Sequence, residues 1–177
     1  MKPFLIISLP RSMTAWAANW FTVPGKSFCE HEGMQRFRKI DHFIKMNIDN
    51  PGIVHGDSNS ALPLYAHDDI TNLSHHFNIG YINREKDDAL ESYRKATLGI
   101  EDDPDYSINA ADLILKKVLN NIEFMEIKFS DMTNEDAFRA FHEYLTPSVQ
   151  FDRLRFNLLK DLRVLQKTHE LYKRENV

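Results

Sequence analysis

The sequence predicts an α/β fold with a largely parallel sheet, on three observations. Short apolar runs alternate with longer segments at helical spacing through most of the chain. Gly, Pro, Asn and Asp clusters punctuate the transitions. The length of 177 residues suits a single compact domain spanning 1–177.

Taken in order, Phe4-Leu5-Ile6-Ile7-Ser8 is a continuous apolar run, the pattern of a strand buried on both faces. A helix is expected over 12–21, ended by Val23-Pro24-Gly25, and a second strand over 27–31. Residues 33–48 carry Met34, Phe37, Ile40, Phe43 and Ile44 at helical spacing. After Asn50-Pro51-Gly52, Ile53-Val54-His55 reads as a third strand, with Gly56–Ser60 as a polar loop leading into a helical stretch that ends near Phe77. Residues 79–83 form a fourth strand, 85–98 a helix, about 107–122 another, and 124–129 a fifth strand. Thr133-Asn134-Glu135-Asp136 has capping-box spacing ahead of Phe138, Phe141 and Leu145. A final helix is expected over roughly 151–173.

Composition narrows the function classes. Apolar residues are 42% and charged residues 27%, the balance of an ordinary globule and not of a disordered chain. With 22 Lys and Arg against 26 Asp and Glu the net charge is −4, which lacks the basic face that general nucleic-acid binding requires. Cys29 is the single cysteine, so no internal disulfide can form and a reducing, cytoplasmic compartment is expected. The apolar run after Lys2 stops at Pro10-Arg11, too short for a secretory signal or a membrane span. No membrane partner is expected.

In parallel α/β sheets ligands gather at the carboxyl ends of the strands. The first such loop reads Pro10-Arg11-Ser12-Met13-Thr14-Ala15-Trp16. An Arg and two hydroxyls at the start of a helix suit an anion, through free backbone N–H groups and the positive end of the helix dipole. The alternative is a Ser N-cap beside a surface Arg. GxxxxGK[ST] is absent. The second feature is Asn83-Arg84 at the end of the fourth strand, with Ser92 eight residues on.

Together these loops resemble the PAPS-dependent sulfotransferases. Pro10-Arg11-Ser12-x-Thr14-x-Trp16 is similar to that family's 5′-phosphosulfate loop, P-[KR]-S-G-T-T-W. Arg84 to Tyr93, with Asp87 or Asp88 and Ser92, resembles its 3′-phosphate motif, R-x-P-x-D-x-x-x-S-x-Y, and Lys128-Phe129-Ser130-Asp131-Met132 is similar to its Y-E-D-L segment. The similarity covers about residues 3–146. It implies a three-layer, P-loop NTPase-like architecture that binds 3′-phosphoadenosine 5′-phosphosulfate (PAPS) and releases adenosine 3′,5′-bisphosphate (PAP), with no metal. The acceptor would be a hydroxyl or amine on a small molecule, glycan or peptide. The loop from Pro10 to Trp16, including Ala15, would bind the donor, with Arg11 also neutralising charge on the leaving phosphate. Arg84 and Ser92 would hold the 3′-phosphate, and Trp16 would lie either near the adenine or in the core. For the catalytic base, family members point either to the Glu30-His31-Glu32 segment or to His55 and Asp57, with His31 or Glu32 first and Asp57 second.

The chain departs from the family at three places. Met13 replaces the loop Gly, so the loop is expected to avoid positive φ. Glu85-Lys86 stands where a Pro is usual, and no Gly-rich basic segment follows near the C-terminus. Two other readings keep the fold: a P-loop nucleotide or small-molecule kinase, and a non-catalytic nucleotide-binding module.

Overall fold

The computed structural model describes residues 1–33, 51–62, 74–97 and 103–160, with 45, 49 and 70. Five strands, β1 (Phe4–Ser8), β2 (Ser27–His31), β3 (Val54–Asn59), β4 (Asn78–Asn83) and β5 (Met125–Lys128), form one sheet in the order β2-β3-β1-β4-β5. Every pairing is parallel. The helices delimited among the described residues are α1 (Thr14–Phe21), α2 (Lys86–Thr97), α3 (Pro104–Leu119), α4 (Glu135–Leu145) and α5 (Arg153–Leu159), with a 3₁₀ turn over Phe129–Thr133. No described helix is long and apolar enough to cross a membrane.

The alternation of β1 assigns the two faces. Phe4 and Ile6 join a core with Trp16, Trp20 and Phe21 of α1, Phe138 and Phe141 of α4 and Phe156 of α5. Leu5 and Ile7 join Ile79, Ala89 of α2, and Ala111, Leu115 and Val118 of α3. Burying a side chain on both faces of a central strand is worth roughly 1.5–3 kcal/mol each, which is why β1 has no polar position before Ser8. The result is three layers, helices on each side of a parallel sheet.

Three expectations change. The segment Gly56–Asn59, expected as a loop, continues β3, and all six residues of that strand are buried. Its polarity is tolerated because Asp57 and Asn59 bond to each other and to neighbouring backbone. Gly56 is required there, since a Cβ would come within 2.2–2.5 Å of the Phe4 ring. The cap of α4 is Asn134, not Thr133; its side chain accepts from the N–H groups of Asp136 and Ala137. The helix expected from 12 starts at Thr14. The helical stretches expected over 33–48 and from 60 to near Phe77, and the continuation of the last helix beyond 160, lie largely outside the described residues.

Candidate anion-binding site at the carboxyl edge of the sheet

Strand β1 ends at the centre of the sheet, and its loop turns directly into α1. Met13 takes the N-cap position in the left-handed region (φ 61°), with no side-chain cap hydrogen bond. Arg11 is also left-handed, at φ 69°. The loop therefore builds the positive-φ backbone that the replacement of Gly by Met argued against. Glu32, just past β2, is the third non-glycine with positive φ among the described residues (φ 58°). Each such residue costs about 1–3 kcal/mol, and such strain persists where surrounding structure holds a functional geometry. All three lie at the carboxyl edge of the sheet.

Ser12 is fully buried and its Oγ has no hydrogen-bond partner among the described residues, so it is not the cap of α1. A buried hydroxyl without a partner costs about 1–3 kcal/mol, a debt that a bound anion would remove. The uncapped helix start beside it leaves first-turn N–H groups for the same ligand.

Arg84, at the end of β4, reaches across to this loop. Its Nη1 donates to the Arg11 carbonyl, and its guanidinium lies 4.3 Å from the Phe129 ring centroid. Burial lowers the Arg84 pKa from the ordinary arginine value; the charge of Asp88 opposes this and that of Arg11 reinforces it. Among the described residues neither arginine forms an ion pair. Two loops 73 residues apart thus place two cations where an anion would relieve their repulsion. An open cavity of about 550 Å³ borders Arg84, lined also by Asn83, Lys86, Lys116 and Asn120 and by the carboxylate residues Glu85 and Asp112. Ser92 lies farther along α2 and does not line it.

The candidate bases divide. His31 ends β2 on the α1 side of the sheet, and its Nε2 lies 3.1 Å from Thr14 Oγ1, in the first turn of α1. Its side chain is 44% exposed, and Glu32 Oε1 is 4.0 Å away. Glu32 Oε1 accepts a 2.6 Å hydrogen bond from Ser60 Oγ. Glu30 folds back over Gly33, whose Cβ position its carboxylate fills. Asp57 is fully buried; its carboxylate accepts from Gly33 N–H at 2.9 Å and from Asn59 Nδ2 at 3.0 Å, which braces the exit of β2 against β3. His55 is buried against Phe28, and burial lowers its pKa. Of these groups, His31 is the one both open to solvent and hydrogen-bonded to the first residue of α1.

Trp16 takes the core position. Its indole N–H donates to Leu159 O at 2.8 Å, and its ring meets Phe138 edge-on at 5.0 Å. Sequence reasoning missed two contributors, the left-handed turn at Arg11 and Met13 and the Phe129 ring under Arg84. Among the described residues, no group of three or more His, Cys, Asp or Glu is arranged to hold a metal ion.

No family model matches the sequence. No curated protein matches it either. Among solved structures, the chain is similar to shikimate kinase from Bacteroides thetaiotaomicron, crystallised at 1.7 Å resolution. The TM-score is 0.42 and the identity 11%, over 98% of this chain and 99% of that one.

Proposed function

We propose that this chain binds 3′-phosphoadenosine 5′-phosphosulfate at the loop after β1 and transfers its sulfuryl group to a hydroxyl or amine of a small-molecule, glycan or peptide acceptor. The observation that carries the reading is the convergence of Arg84 on the Arg11 loop, two cations of which neither is ion-paired among the described residues. The buried Ser12 hydroxyl and the uncapped start of α1 support it. In this reading the loop N–H groups and Arg11 hold the 5′-phosphate and stabilise charge developing on it as the S–O bond breaks. Arg84 faces the 3′-phosphate. His31 takes the acceptor's proton as the new bond to sulfur forms, which leaves PAP and the sulfated acceptor.

Phosphoryl transfer from Mg-ATP is the second reading. Glu32 beside the Ser60 and Thr14–His31 hydrogen bonds favours it, because magnesium takes carboxylate and hydroxyl oxygens together with phosphate. An arginine in place of the phosphate-loop lysine weighs against it.

A thermal-unfolding titration separates the two. PAP, AMP and Mg-ATP are each added to wild type and to Arg84→Ala. A ligand at 100 times its Kd adds about 2.7 kcal/mol, or several degrees in a domain of this size. The expected result is stabilisation by PAP, weakened in Arg84→Ala. A shift with Mg-ATP alone would overturn the sulfuryl reading in favour of the kinase. No shift with any of the three would overturn both and leave a fold without its nucleotide.

A further inference from the structure

The Arg84 guanidinium is a long, flexible group, and two features of its surroundings fix it. Its carbon Cζ lies 4.3 Å from the centroid of the Phe129 ring, within the range where a cation is drawn to an aromatic face. Its Nη1 is bound to the Arg11 carbonyl. Its Nε is buried and has no hydrogen-bond partner among the described residues. Phe129 follows directly on β5, the strand paired in parallel with β4, and it packs against the core beneath α1 and α4. The ring is therefore anchored by the same sheet that positions Arg84.

We propose that Phe129 is a positioning residue for anion binding. Its ring face and the Arg11 carbonyl together hold the Arg84 guanidinium flat, so that its remaining donors point to the ligand without a search among rotamers. This rests on the anion site proposed above, and it adds a residue with no polar atom to that site. The platform also helps Arg84 tolerate lying close to Arg11: the ring offers it a negative face beside the opposing charge of Asp88. Holding a guanidinium in one geometry favours ligands that present a phosphate at one fixed place over those that do not. Loss of the platform should therefore weaken PAP more than AMP.

The test combines a thermodynamic cycle with a spectroscopic readout. Calorimetric titrations with PAP and with AMP are run on wild type, Phe129→Tyr, Phe129→Leu, Arg84→Ala and the double variant Phe129→Leu/Arg84→Ala. Expected is a 3- to 30-fold loss of PAP affinity in Phe129→Leu, retention in Phe129→Tyr, and no further loss when Phe129→Leu is added to Arg84→Ala. An equal loss from Phe129→Leu in both backgrounds would overturn the proposal, because the ring would then act by a route other than Arg84. In parallel, the Arg84 Nε–H resonance in ¹⁵N NMR should be shifted by the ring in wild type and Phe129→Tyr and move toward the free-arginine position in Phe129→Leu. An Arg84 resonance indifferent to Phe129 would overturn the platform whatever the ligand does. If wild type fails to bind PAP while the ring shift is present, the nucleotide reading falls and the platform stands.

Discussion

Arg11 occupies a conformation that its residue type disfavours, and that sets stability against ligand binding at one position. At φ 69° an L-residue is about 1–2 kcal/mol worse than in the right-handed region, whereas glycine is indifferent. Glycine gives back about 0.5–1 kcal/mol through the greater freedom of the unfolded chain. The side chain is exposed, so removing it sacrifices little packing. Arg11→Gly should therefore be more stable than Arg11→Ala by about 1 kcal/mol, which is roughly 2–4 °C in Tm for a chain of this length. Both variants should lose anion binding equally, since both lack the guanidinium. The assay is urea denaturation of the two variants beside wild type, followed by PAP titration of each. Equal stability of Arg11→Gly and Arg11→Ala would refute the claim that the loop stores strain. Undiminished binding in either would refute the role given to Arg11.

Three further predictions follow from other parts of the molecule. Gly56→Ala places a methyl group against the Phe4 ring, and overpacking of this kind costs about 1–3 kcal/mol; denaturant titration should show the loss, and a Phe4→Leu background should reduce it. His142 is buried, accepts from Trp20 Nε1 through Nδ1 and bonds Val149 O through Nε2, and burial lowers its pKa below the ordinary value of about 6.5. The unfolded chain takes up the proton that the folded ring refuses, so stability is flat above about pH 6.5 and falls below it, by at most about 1.4 kcal/mol per pH unit for this group. Unfolding measured from pH 8 to 5 should show a shallower acid slope in His142→Gln than in wild type; an unchanged slope would remove His142 from the account. The Tyr81 phenol is pushed up to about 12 by burial and by the charges of Glu126, Asp112 and Glu85. In an ultraviolet titration Tyr81 should therefore ionise late, and Tyr81→Phe should remove its share of the late phase and leave that of Tyr144, whose phenol burial also pushes up.

What was legible in the sequence was whatever a single element dictates by itself. The unbroken apolar run Phe4–Ile7 has the pattern of a strand covered on both sides, and the strand–helix alternation then gives the parallel sheet. The edge of that sheet, with Arg11 and Arg84, followed from the same logic. What stayed hidden depends on side-chain partners and packing that no single element announces. Gly56–Asn59 looks like a loop because the bonds that make Asp57 and Asn59 tolerable inside β3 come from Gly33, Ala61, Leu62 and each other. Met13 looks incompatible with a left-handed turn because propensity is local, whereas the packing of its side chain against the core beneath α1 is not. Thr133 and Asn134 are both good caps, and the 3₁₀ turn through Thr133 decides between them. Trp16 fits a ligand motif and a core equally well until Leu159 appears as the partner of its indole.

That last bond has a bearing on how the protein is made. The indole of Trp16 waits for a carbonyl 143 residues downstream, and Arg155 supplies the donor for the Asn19 and Thr22 carbonyls at the far end of α1. At 5–20 residues per second, roughly 7–30 s of synthesis separate the emergence of α1 from that of the residues that secure it. During that interval α1 and the loop it anchors have no finished support. The loop after β1 thus leaves the ribosome well ahead of the residues that set it. A chain cut before Arg153 should keep the strands yet lose the latch on α1, and with it the fixed geometry at Arg11.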